Sequence, residues 1–127
     1  MNPKSLQIRW IDQIVSDTKH TSNFYTDLFG FDQEPVDEGD EVTSYCLNDK
    51  DGKNIFGIVD EVNFKDWPYG WVIYFSVEDS EYDEYCKKAK SLGANIIYKS
   101  PIQCLLKDPS GTPIVINPEK LITEICS

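Results

Sequence analysis

The sequence predicts an α+β fold made of one β-α-β-β-β module written twice. Three observations carry the prediction. A strand-like run closing on Val-x-Asp occurs twice, as "RWIDQIVSD" (9–17) and "WVIYFSVED" (71–79). Each run leads into a helix-forming stretch that stops at a glycine, Gly30 or Gly93. Late in each half a glycine turn opens an apolar run, "DKDGKNIFGIVD" (49–60) and "DPSGTPIVINP" (108–118). Repetition at this scale is the signature of duplicated supersecondary units.

The elements follow in order. After the first strand, Asp17 or Thr18 can cap a helix in "SDTKHTSNFYTDLFGF", with Phe24, Tyr25, Leu28 and Phe29 as its apolar stripe. Three strands follow at roughly 31–36, 41–48 and 54–60. The stretch "EVNFKDWPYG" (61–70) holds Pro68 and Gly70 and reads as a linker. Its Phe64, Trp67 and Tyr69 suit either packing at the junction or a lid over a pocket. In the second half Asp79 or Ser80 can cap "EDSEYDEYCKKAKSLGA", whose stripe is Tyr82, Cys86, Ala89 and Leu92. Acidic residues crowd the first turns of this helix and lysines the last, as its dipole favours. Strands at 94–99, 102–107 and 113–117 complete the copy. The organisation is thus one domain: module 1 over about 8–60, linker 61–70, module 2 over about 71–118, and a tail 119–127 that can turn helical after Pro118.

Composition bounds the function. At 127 residues, 40% hydrophobic and 13% aromatic, the chain can bury a core. Acidic residues outnumber basic ones by 22 to 12, a formal charge of −10 that repels polyphosphate, so neither nucleic acid nor an anionic membrane is an expected partner. The opening "MNPKSLQIRW" lacks the apolar stretch of a signal peptide, and no run approaches a membrane span. Cys46, Cys86, Cys104 and Cys126 are far apart and never form C-x-x-C, which suits reduced thiols in a cytoplasm. The expectation is a soluble, acidic, cytoplasmic protein.

The duplicated pattern resembles the vicinal oxygen chelate superfamily, which includes glyoxalases, bleomycin-resistance proteins and extradiol dioxygenases. The resemblance rests on "VSDTKHTSNFYTDLFGF", on "GWVIYFSVED" and on the Asp-Pro-x-Gly turn of "KDPSGTPIVI", and spans about residues 8 to 118. It implies two modules paired into an incurved, eight-stranded mixed sheet, with helices on the convex face, a ligand in the concave one, and usually a homodimer. It also implies where a metal would be held in metal-dependent members: on the first and last strands of each module. Counting back from Asp17 and Asp79 places two of these positions at Trp10 and Val72. Counting forward from Gly52 and Gly111 places the others at Phe56 and Val115. None of the four side chains can donate to a metal, so no metal and no other cofactor is expected.

Strand alternation then assigns the concave lining. Trp10 and Asp12 share it with Phe56 and Ile58 in the first module; Val72, Tyr74, Ser76, Val115 and Asn117 share it in the second. The mix of aromatic, apolar and a few polar groups fits a small-molecule pocket, and fits equally a hollow filled by its own side chains. Asp12 is the candidate acid–base group, with its pKa expected to rise if apolar neighbours exclude water, and Tyr74 stands near it. Gln13 should point at the helices, where only a buried hydrogen bond would account for it. His20, the only histidine, starts the first helix on the far side, as a surface residue or local cap. Cys46 and Cys104 fall on third-strand positions, where buried inert thiols are expected because no basic residue is placed to activate them. Three functions fit: a binding protein for an unknown small molecule, aromatic or cationic; a metal-dependent lyase, isomerase or dioxygenase; or a structural dimer with a filled core.

Overall fold

The computed structural model describes residues 6–38, 41–60 and 70–120, and among these the side chains of 37, 38 and 41–43 are left aside. The linker aromatics Phe64, Trp67 and Tyr69, and residues 121–127 of the tail expected to turn helical after Pro118, lie outside the described residues. By their internal contacts the residues fall into two compact units, one over 10–71 and one from 72 onward together with the start of the chain to Arg9.

The first half runs β1 (Gln7–Val15), α1 (Thr18–Phe29), β2 (Asp32–Glu38), β3 (Glu41–Asn48) and β4 (Asn54–Asp60). The second runs β5 (Gly70–Val77), a 3-10 turn (Asp79–Glu81), α2 (Tyr82–Ser91), β6 (Asn95–Lys99), β7 (Cys104–Lys107) and β8 (Pro113–Pro118). The α+β class and the doubled β-α-β-β-β order are as the sequence predicts: the described residues form eight strands, four per half, in mixed sheet, with two α-helices. In the first half β4 lies between β3, antiparallel to it, and β1, parallel to it. In the second, β8 lies between antiparallel β7 and parallel β5. A parallel pair needs a long crossover between its strands, and each helix with its following hairpin supplies one.

The repeated turns agree atom for atom. Asp49 Oδ1 accepts from the backbone N–H of Asp51 and of Lys53, both at 2.9 Å. Asp108 Oδ1 accepts from Ser110 and Thr112 at 2.8 and 3.0 Å. Gly52 and Gly111 follow with φ of +83° and +87°, a region that glycine enters without the Cβ penalty.

The helices depart from their expected stripes. Asp17 caps α1, accepting from the His20 backbone N–H at 2.9 Å, and Gly30 closes it with φ +74°. Yet Phe24, Leu28 and Phe29 are exposed, and α1 buries Thr18 and Ser22 instead. Small residues at i and i+4 let the helix sit close to its sheet, so the bulky flank is turned outward. In α2 the stripe holds through Tyr82, Cys86 and Ala89, while Leu92 is exposed. Neither Asp79 nor Ser80 caps α2 directly. The 3-10 turn intervenes, and the Asp79 carboxylate accepts from the Lys120 backbone N–H at 3.0 Å.

Candidate functional site

In the 10–71 unit, α1 packs on one face of the sheet. Tyr45, Leu47, Phe56 and Ile58 form the core there, with Ile11, Val15 and Tyr25 against them. Gln13 points to this side as expected, its Nε2 3.5 Å from the Tyr25 hydroxyl, although its buried Oε1 has no hydrogen-bond partner among the described residues. Alternation turns Trp10, Asp12 and Ile14 to the other face. Register places Gly57 beside Asp12 and Cys46 beside Gly57, so the strip next to Asp12 is lined by small residues.

This corrects the placement of Phe56 and Ile58. Both lie under α1, with the Phe56 ring 5.2 Å from that of Tyr25 and edge-on to it, rather than beside Trp10 and Asp12. The reason is a bulge. Leu47 pairs with Phe56 but Asn48 pairs with Asn54, so Ile55 is an extra residue and every side chain after it changes face. The β7–β8 ladder has no such shift, which is why equal counting from the two turn glycines succeeds at Val115 and fails at Phe56.

At the corrected position only glycine fits. The Trp10 indole N–H donates to Asp12 Oδ1 at 2.7 Å, and both side chains are 8% exposed. A Cβ on Gly57 would collide with that same carboxylate oxygen and lie 3.2 Å from Trp10 Nε1. The result is an indole and a carboxylate locked together over bare backbone.

In the second-half unit α2 covers Val77, Cys104, Leu106 and Ile116. The opposite face carries Val72, Tyr74, Ser76, Val115 and Asn117, the set the sequence groups there, and all five are buried. Tyr74 pairs with Val115 and Ser76 with Asn117. Asn117 Nδ2 donates to the Ile102 carbonyl at 3.0 Å, while its buried Oδ1 has no hydrogen-bond partner among the described residues.

Among the described residues no three His, Cys, Asp or Glu side chains are grouped to hold a metal ion. His20 is exposed on α1. The cysteines correct the sequence reading. Cys46 is disulfide-bonded rather than a reduced thiol. Cys104 is a buried free thiol as expected, but it is paired with Cys86, a contact across 18 positions of sequence that periodicity does not reveal. A hydrogen bond to Cys86 and burial push the Cys104 thiol up.

No protein-family model and no curated protein matches the sequence. Solved structures do match. A glyoxalase/bleomycin resistance protein/dioxygenase superfamily member from Vibrio splendidus 12B01 aligns over 89% of this chain and 100% of its own, at 18% identity and TM-score 0.60. An extradiol ring-cleaving dioxygenase from B. fuscum aligns over 89% of this chain and 32% of its own, at 19% identity and TM-score 0.59. Methylmalonyl-CoA epimerase from Streptomyces coelicolor aligns over 90% and 97%, at 15% identity and TM-score 0.54. The chain has the vicinal oxygen chelate fold. Such a fold carries many activities, so the site residues have to argue the function. No helix among the described residues is long and apolar enough to cross a membrane.

Proposed function

We propose that the chain is a small-molecule-binding protein of the glyoxalase/bleomycin-resistance type that works without a metal and takes a planar aromatic or cationic compound. The observation that supports this reading most is the Trp10–Asp12 pair over Gly57. An indole held edge-on by a carboxylate offers a stacking wall beside a negative charge, the combination that recognises a flat cation. The position lies on a first strand, where the fold's metal-dependent members are expected to place a ligand, and here it is filled by an aromatic ring. Tyr74, Ser76 and Asn117 are a second group of polar side chains, to be tested separately.

The alternative, a structural protein with a filled core, draws on one observation: Trp10, Asp12, Val72, Tyr74, Ser76, Val115 and Asn117 are all buried. One variant separates the two. If Trp10 is a ligand wall, Trp10→Ala weakens binding of planar cations by about 1–3 kcal/mol, read by fluorescence quenching and calorimetry. If it is only core, the loss is about 3–5 kcal/mol of folding stability and no compound in the panel binds the parent. Native mass spectrometry of freshly purified protein, searching for a retained small molecule, tests the reading without a prior choice of ligand.

A further inference from the structure

Under α2 lies a pair of thiols that the proposed function does not use. Cys86 on α2 and Cys104 at the start of β7 are both free and belong to one core cluster with Tyr82, Val77, Leu106 and Ile116. Their surroundings differ. Cys104 is fully buried, while Cys86, 4% exposed, lines a cavity of about 370 Å³ with Asp83, Lys87, Lys90, Ile96 and Lys99. Lys99 is the ladder partner of Cys104. Its ammonium lies 2.8 Å from Asp83 and 5.0 Å from the centre of the Tyr82 ring. In a chain of net charge −10, three lysines around one thiol are a local reversal of sign.

The hydrogen bonds are ordered. The Tyr82 hydroxyl donates to the Ser100 carbonyl at 2.7 Å. The hydrogen bond between the Cys104 and Cys86 thiols, together with the charge of Lys99, holds the Cys86 thiol below the ordinary cysteine range, against burial and the Asp83 charge. One sulfur therefore stands at the wall of a cavity among lysines, and the other lies behind it, fully buried.

We propose that Cys86 and Cys104 form a peroxide-responsive dithiol centre, in which Cys86 attacks, Cys104 resolves, and the product is a disulfide tying α2 to β7. In the first step the Cys86 thiolate attacks one peroxide oxygen, the O–O bond breaks, and hydroxide (or alkoxide) leaves and takes a proton, giving a sulfenic acid. In the second, Cys104 sulfur attacks Cys86 sulfur, the S–O bond breaks, and the departing hydroxide takes up the Cys104 proton as water. Two thiols thus give two electrons to one peroxide, which becomes two molecules of water or one each of water and alcohol. A small peroxide is the oxidant that suits the site, because a sulfur 4% exposed admits a few atoms and excludes a peptide disulfide. The lysines favour the negative charge that develops on the leaving oxygen.

The test is treatment of the native, full-length protein with one equivalent of hydrogen peroxide, followed by non-reducing peptide mapping. The expected result is one new cross-link, Cys86 to Cys104, with a mass loss of about two hydrogens and full reversal by dithiothreitol. Cys104→Ser and, as a second replacement, Cys104→Ala should stop at a Cys86 sulfenic acid that dimedone traps. Cys86→Ser should leave Cys104 unmodified at the same dose. Lys99→Met should slow the wild-type reaction several-fold at neutral pH. The proposal is overturned if both thiols of the folded parent remain alkylatable after peroxide. It is equally overturned if Cys86 proceeds to sulfinic acid while Cys104 stays free.

Discussion

Replacing Gly57 by alanine is the sharpest probe of the Trp10–Asp12 pair. Alanine suits a strand better than glycine by about 0.5–1 kcal/mol, so at an open position the change would stabilise. Position 57 is not open. The new methyl would occupy the place of Asp12 Oδ1 and press on the indole at 3.2 and 3.4 Å from Nε1 and Cζ2. Two responses are available. The carboxylate can swing away and lose its bond from Trp10, at a cost of about 1.5–3 kcal/mol for a hydrogen bond to a charged group. Otherwise the strands spread, at a cost of about 1–3 kcal/mol for overpacking. These are alternatives and do not add, so after the gain in strand preference the net loss is about 1–2 kcal/mol. For a chain of this size that is a fall in Tm of about 4–8 °C. Urea and thermal unfolding, followed by tryptophan fluorescence, would measure it. The same substitution in an Asp12→Ala background should cost markedly less, because its obstacle is gone. A neutral or stabilising Gly57→Ala, or an equal loss in both backgrounds, would refute the packing described for this face.

Three further outcomes are expected. Asp49→Ala and Asp108→Ala each remove two side-chain-to-backbone hydrogen bonds from turns of one geometry, so each should cost about 0.5–1.5 kcal/mol, with the two losses alike in urea unfolding. Lys99, by its hydrogen bond and charge, holds the Asp83 carboxyl below the usual carboxylate range, and Asp83 in turn holds Lys99 up. The pair's small contribution is therefore complete above the ordinary carboxylate pKa, fades as pH falls through the lowered value, and fades again as pH rises through the raised lysine value. Titration of Asp83 by NMR should show a midpoint that moves up in Lys99→Ala; an unmoved midpoint would exclude the pairing. Finally, we propose a homodimer, since Phe24, Leu28, Phe29 and Trp71 leave apolar surface exposed that a second chain can cover. Sedimentation should give twice the chain mass, and a monomer at tens of micromolar would reject it.

What the sequence made legible was whatever depends on local chemistry. Asp17 and Gly30 at the two ends of α1, and Asp-x-x-Gly before a strand, act through bonds to residues a few positions away, and those elements fall where the sequence puts them, whereas Asp79 bonds the distant Lys120 and does not cap α2. Long-range features were less legible. The α1 stripe failed because apolar spacing shows which residues share a helix flank, while the sheet chooses the flank it can approach; Thr18 and Ser22 permit a closer approach than Phe24 and Leu28. The Cys86–Cys104 pair lay hidden because the separation in sequence carries no period, and the disulfide at Cys46 because cysteine spacing does not fix connectivity.

The bulge at Ile55 shows most directly how a small backbone change can divide the chemistry of two like modules. Asp12 and Tyr74 hold matching places, two residues beyond Trp10 and Val72. Their ladder partners are Gly57 and Val115. Without the bulge, with Ile55 taken into the ladder opposite Leu47, the partner of Asp12 would be the bulky residue now under α1, and a carboxylate beside a phenyl ring and an indole would have no room for its bond to Trp10. With it, a glycine stands there and the indole can lie across the strand. In the second module the unbroken ladder brings Val115 beside Tyr74, and the tyrosine is packed by an aliphatic side chain. A buried carboxylate is tolerated only where hydrogen-bond donors reach it. The bulge, by clearing the neighbouring position, is what lets one module carry an acid group on its inner strand while its copy carries a phenol and an amide.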